Sequence, residues 1–160
     1  MLPKKQNVAR EKGFTLIELL LVIGIIAVLA VVVFVSLDPA KRFADARDAR
    51  RESDVQTILS AIHQYVIDNK GAFPPGLGVD ERQLGTGGSA CSVASGGCNV
   101  TDETCLDTSL DLAKYLKSTP IDPQIGTAER TRYSVQLNTD RIVTVRACDT
   151  EGTTAISVSR

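Results

Sequence analysis

The sequence predicts an α+β fold in which a long N-terminal hydrophobic helix packs, by its C-terminal half, on a small antiparallel sheet. Three observations carry this expectation. Residues 14–37 form a run of 24 residues with a single formal charge, Glu18. Val55, Ile58, Leu59, Ile62, Tyr65 and Val66 recur at helical spacing, which gives one apolar face. Near the C-terminus, 133–137 and 142–147 alternate apolar and polar residues on either side of Asn138-Thr139-Asp140, and 155–159 offers a third strand.

The chain has 160 residues, 18 Lys+Arg against 19 Asp+Glu, one His and four Cys, a size that fits one domain and an appendage. Near-neutrality argues against a general polyanion binder. The charge is unevenly placed. Residues 1–13 hold Lys4, Lys5, Arg10 and Lys12 against Glu11, formally +3, which leaves 14 basic and 18 acidic groups, formally −4, in the remainder. A basic leader (1–13), an apolar rod (14–37), an amphipathic continuation of the helix (38–70) and a head (71–160) follow one another.

At about 1.5 Å per residue the apolar run spans roughly 36 Å, enough for the ~30 Å hydrocarbon core of a bilayer. An ordinary secretory signal has an apolar region of about 7–15 residues and a small-x-small cleavage site. This run is longer and no Ala-x-Ala follows it, so that reading is rejected. Counting basic residues does not orient the span, because four precede it and Lys41, Arg42, Arg47, Arg50 and Arg51 follow it. Glu18 is the odd residue. A carboxylate at membrane depth is costly and marks a functional site by default, against the simpler reading of a terminal side chain reaching back to the headgroups. It needs a positive partner, and the rod contains none. A cut between Gly13 and Phe14 would create one, the new α-amino group.

The string Lys12-Gly13-Phe14-Thr15-Leu16-Ile17-Glu18-Leu19-Leu20, followed by about twenty apolar residues, resembles the cleavage and methylation motif of type IV pilins and their pseudopilin relatives. The resemblance implies cleavage after Gly13 by a prepilin peptidase, N-methylation of Phe14, and pairing of Glu18 with the amine of a neighbouring Phe14 in a helical homo-oligomeric filament. It implies a cytoplasmic leader, a single-pass state held in inner-membrane lipid before assembly, and an assembly platform with an ATPase. The destination would be an extracellular pilus or a periplasmic pseudopilus. Nucleic acid would enter only if the filament were a competence pilus, and no cofactor is implied.

Asp38-Pro39 is a favoured N-cap and first helical residue, so the rod can kink, unwind or restart there. Beyond it, acids and bases alternate at i,i+3 and i,i+4 spacings (Lys41–Asp45, Arg42–Asp45, Asp48–Arg51, Arg50–Asp54 and Arg51–Asp54). This segment reads either as a solvated helix just outside the membrane or as charges matched between neighbouring rods. Asn69-Lys70-Gly71 closes the helix, and Phe73-Pro74-Pro75-Gly76 turns the chain. His63 lies off the apolar stripe and has no second His to build a metal or acid–base site with.

Residues 85–97 hold five Gly and three Ser, the composition of a flexible surface loop. Cys91, Cys98, Cys105 and Cys148 suit an oxidising compartment, and the expected pairing is Cys91–Cys98 with Cys105–Cys148. Their spacing matches no common zinc knuckle, so no metal site is expected. Asp102, Glu103, Asp107 and Asp111 have no EF-hand spacing and read as acids at the start of a short helix, 109–117, with Leu110, Ala113 and Leu116 inward. Pro120-Ile121-Asp122-Pro123 ends that helix. A Pro-x-Asp-Pro turn before a Tyr-bearing strand resembles pilin and major pseudopilin heads.

No set of residues resembles a catalytic constellation or a cofactor motif. The sequence therefore points to a structural filament subunit of a pilus first and to a major pseudopilin of a type II secretion system second. A non-polymerising, membrane-anchored binding module is the alternative from another class.

Overall fold

The computed structural model describes residues 13–36 and 38–160. The basic leader expected at 1–13 lies outside the described residues except for Gly13. Two helices and four strands follow in order: α1 (Leu16–Ser36), α2 (Pro39–Asp68), β1 (Arg82–Gln83), β2 (Tyr133–Leu137), β3 (Val143–Ala147) and β4 (Ser157–Ser159). The chain divides into two compact units after Pro39.

α1 is aliphatic on every face and buries none of its residues within the chain. It is long and apolar enough to cross a membrane. Of the three outcomes open at Asp38-Pro39, the structure shows the restart. Asp38 takes φ 38°, outside the helical region, and Pro39 opens α2, where its missing N–H removes no helical hydrogen bond.

In the second unit the predicted apolar face of α2 is the core. Val55, Ile58, Leu59 and Ile62 are buried, and Tyr65 and Val66 pack at the margin. They meet Tyr133 and Val135 of β2 and Val143, Val145 and Ala147 of β3 in one apolar cluster. Each fully buried aliphatic side chain contributes about 1.5–3 kcal/mol, so this cluster is the main source of cohesion. The helix ends as expected. The Gly71 N–H donates to Val66 C=O at 2.8 Å with Lys70 at φ 55°, a Schellman closure with a left-handed residue at its centre. Pro74 to Leu77 then form a tight turn, with the Leu77 N–H donating to Pro74 C=O at 3.3 Å and Gly76 at φ 82°.

The sheet is antiparallel in the order β1-β2-β3-β4. Tyr133 faces Ala147 and Leu137 faces Val143 across the central hairpin. Both strands of that hairpin and the final strand lie where alternation placed them. β1, two residues long, was not predicted.

The short helix expected at 109–117 does not form. The segment makes separate turns, with the Leu112 N–H on Thr108 C=O at 2.9 Å and the Leu116 N–H on Leu112 C=O at 2.8 Å. Leu112 points inward, while Leu110 is 89% exposed. Asp107 Oδ1 accepts the Ser109 N–H at 2.9 Å, and such local side-chain bonds compete with a helix too short to propagate by itself.

The expected disulfide pairing is also corrected. Cys91 pairs with Cys105 and Cys98 with Cys148. The Gly/Ser segment folds back on itself through a Val93–Val100 bridge, which carries Cys91 to the returning arm, where its N–H donates to Glu103 C=O at 3.0 Å. Cys98 sits at the tip and reaches the end of β3. Val93, Cys98, Val100 and Cys148 form a second small core. Ser95 Oγ donates to Cys148 C=O at 2.6 Å, and a Cβ on Gly96 would stand 2.5 Å from that same oxygen. The segment is therefore stitched down along its length.

Candidate assembly site

The N-terminal motif opens α1. Thr15 and Glu18 form a capping box. Glu18 Oε2 accepts the Thr15 N–H and Oγ–H, both at 2.8 Å, and the Glu18 N–H donates to Thr15 Oγ1 at 3.3 Å. The Thr-x-x-Glu pattern that encodes such a box is visible in the sequence. It accounts for how Glu18 is satisfied within a single chain, and it holds the carboxylate at the helix start beside the Gly13–Phe14 bond. Phe14 is 86% exposed, and no neighbouring group lies within 4 Å of where a Gly13 Cβ would stand. From Phe14 to Val35 the aliphatic side chains lie half or more exposed. A continuous apolar surface of this size requires a cover of lipid or of other apolar helices.

A second charged assembly lies in the head. Arg51, read from sequence either among solvated helix charges or among charges matched between neighbouring rods, has a fully buried side chain. Its Nε donates to Asp122 Oδ2 at 2.6 Å and its Nη2 to Asp122 Oδ1 at 3.2 Å, a bidentate pair. Its Nη1 donates to Asp48 Oδ1 at 2.8 Å and to Glu151 Oε1 at 3.0 Å. Asp48 accepts the amide N–H groups of Glu151 and Gly152, Arg47 forms an ion pair with Glu151, and Tyr133 Oη donates to Asp54 Oδ2 at 2.8 Å. One guanidinium thus ties α2 to the Pro-x-Asp-Pro turn and to the segment after β3.

The electrostatics follow the geometry. Burial opposes the charge of Arg51, but its bonds to Asp122, Asp48 and Glu151 outweigh that and raise its pKa. Burial likewise works against ionised Asp122 and Asp48. Arg51 and the Ile125 and Gln124 N–H groups at Asp122, and the Glu151 and Gly152 N–H groups with Arg51 at Asp48, hold both below the usual carboxylate value. The Arg47 bond, with Arg51 behind it, lowers Glu151 to about 2.

Of the acids around 102–111, Asp102 and Glu103, like Asp107, bond locally. Asp102 Oδ1 accepts the Thr104 N–H at 2.8 Å, and Glu103 Oε1 accepts Ser92 Oγ–H at 3.0 Å. Among the described residues, no group of three or more His, Cys, Asp or Glu could hold a metal ion.

Residues 8–34 match the family model of the prokaryotic N-terminal methylation motif. The type II secretion system core protein G of Pectobacterium carotovorum subsp. carotovorum is 41% identical over 64 residues, which is 40% of this chain and 40% of that protein. The match therefore spans less than half of the relative's length. No solved structure is a significant match. The motif and the relative are both consistent with the type IV pilin family that the N-terminal string resembles.

Proposed function

We propose that this chain is a structural subunit of a pilin-like filament, cut by a prepilin peptidase between Gly13 and Phe14, N-methylated at Phe14 and assembled from the inner membrane. The observation that carries the reading is the uncovered aliphatic α1 headed by Gly13-Phe14 and by a carboxylate held one helical turn inside. Hydrolysis of the Gly13–Phe14 amide releases the leader as a carboxylate and leaves Phe14 with a protonated amine, whose charge methylation retains. In the membrane, α1 is covered by lipid. In the filament it is covered by other copies of α1, and Glu18 exchanges part of its Thr15 capping for the amine of a neighbouring Phe14. Lipid gives no hydrophobic drive for helix association, so packing and this ion pair direct it. A misregistered copy leaves both charges unpaired in an apolar bundle, which is costly. Moving α1 out of lipid requires work, supplied in this reading by a cytoplasmic ATPase acting through the assembly platform. The two disulfides fit a head on the oxidising side of that membrane.

A pseudopilus of a type II secretion system is the second reading, favoured by the similarity to a core protein of such a system.

Two substitutions test the pairing. Glu18→Ala removes both charge and cap, whereas Glu18→Gln can still close a capping box. Both variants are expected to insert in the membrane and to lower sheared filament yield by roughly tenfold or more, the scale of losing a charge-assisted bond. Normal filaments from Glu18→Gln with none from Glu18→Ala would make the cap, and not the charge, the requirement.

A further inference from the structure

The N-terminal half of α2 carries two oppositely charged faces. On one side, α2 and residues 151–157 enclose an open groove of about 770 Å³, whose helical wall presents Asp45, Asp48 and Glu52 with Lys41 at its end, and whose other wall presents Glu151, so that acids outnumber the single lysine. Asp48 and Glu151 are engaged by Arg51 and Arg47. Asp45 and Glu52 are exposed and have no ion-pair partner among the described residues. The floor between the acids is apolar, from Ala44, Ala49, Ala155 and Ile156.

On the other side stand Arg42 and Arg50. The i,i+3 pair expected between Arg42 and Asp45 is not among the ion pairs formed by the described residues. Arg50 reaches Asp54 only at 3.8 Å and keeps 64% of its side chain exposed. At about 100° per residue, Asp45 and Glu52 point within roughly 20° of one another, and the basic pair is centred about 110° around the helix from them. Arg42 and Arg50 themselves diverge by about 80°, an offset that their long, flexible side chains must span, while the axial spacings are similar. Seven residues separate the acids and eight the bases, about 10.5 Å and about 12 Å. Phe43, 66% exposed, flanks the basic stripe with apolar surface to set against the groove floor.

We infer that the groove receives the Arg42–Arg50 stripe of a second copy of this chain, with Arg42 and Arg50 on Asp45 and Glu52 of the copy that offers the groove, and Phe43 over the alanine floor. The inference rests on the filament reading and names a contact within it. The two faces are distinct and separated by about a third of a turn, so the contact is heterologous. Each copy that gives a stripe still offers a groove, so the contact can repeat from copy to copy, along an open helix in the filament reading. Exposed charge pairs contribute little individually, but like charges placed opposite one another are strongly disfavoured, so the contact sets register and partner choice more than strength.

Charge exchange tests it. Full-length Asp45→Lys/Glu52→Lys and Arg42→Glu/Arg50→Glu chains are each expected to give roughly tenfold less sheared filament than the unaltered chain, since each places like charges across the contact. The chain with all four substitutions regains complementarity and is expected to recover filament yield to within about threefold of the unaltered chain, because only the polarity of the contact is exchanged. Leader removal and membrane retention, read on the same samples, report that each variant is made and inserted. Unimpaired assembly by either double variant, or no recovery in the fourfold one, overturns the inference and assigns the groove to another cationic partner or to none. Absence of filaments from the unaltered chain contradicts the filament reading itself, a separate outcome.

Discussion

Replacing Arg51 with Met should destabilise the head by about 3–5 kcal/mol, the scale of stranding a buried charge by removing its partner. Arg51 and Asp122 both have fully buried side chains, 71 positions apart in sequence. Without the guanidinium, the Asp122 carboxylate keeps only the Gln124 and Ile125 N–H groups, at 2.9 and 3.0 Å. Asp48 and Glu151 lose a shared cation in the same step. The Arg51→Met/Asp122→Leu double variant should recover much of the loss, because a buried ion pair exchanged as a unit for apolar groups is often close to neutral. Thermal or denaturant unfolding of the four chains of the cycle in detergent micelles measures the coupling, and additive losses would show that Arg51 and Asp122 do not act as a pair.

The pH dependence of that difference has a definite sign. In the unaltered chain, Asp48, Asp122 and Glu151 have depressed values when folded. Their contribution is complete above the unfolded values of about 4 and is lost as pH falls through the lower folded values, that of Glu151 being about 2. In Arg51→Met, a stranded Asp122 has its folded value raised above the unfolded one, so its penalty is relieved as pH falls. The gap between the two chains should therefore narrow as pH falls, first above about pH 4 as the stranded Asp122 protonates and further below it as the unaltered chain loses its clamp. A gap that is constant from neutral pH down to acid would contradict the clamp.

The second large effect is expected at the disulfides. Cys98–Cys148 closes a separation of 50 residues and Cys91–Cys105 one of 14. On chain entropy alone, removing the first should cost about 4 kcal/mol and the second about 3 kcal/mol. The first also opens the small core of Val93 and Val100 and releases the Gly96 turn from Cys148. Cys98→Ser/Cys148→Ser should therefore be the more damaging pair in unfolding measurements. Non-reduced protein cut before its aspartates should hold the peptides bearing Cys91 and Cys98, Cys105, and Cys148 together in one species. A free peptide containing both Cys91 and Cys98 would mean that they pair with each other.

Long or periodic features were legible in the sequence. The apolar rod, the Val55–Val66 face and the strands on either side of Asn138 each repeat one chemical choice over many residues, and the structure places them as the pattern implies. What the sequence hid depends on distant partners or on very short elements. A charged residue such as Arg51 reads as solvated until Asp122, far along the chain, is known to face it. Cysteine spacing carries no information about the fold-back that brings Cys91 to Cys105. The three apolar positions of 109–117 are too few to distinguish a helix from turns, and β1 is too short to show a period. The capping box at Thr15 and Glu18 is a different case. Its Thr-x-x-Glu pattern is present in the sequence, but a lone carboxylate in an apolar run reads first as a charge in need of a partner.

Cleavage at Gly13–Phe14 and incorporation into filaments can be read on one preparation, and everything proposed for α1 depends on both. Intact mass and N-terminal sequence of material sheared from cells, beside the membrane fraction, test them most directly. Sheared protein is expected to begin at N-methylated Phe14, with both disulfides intact. A chain that still begins at Met1 and is confined to membranes would contradict both and would favour an anchored module that does not polymerise.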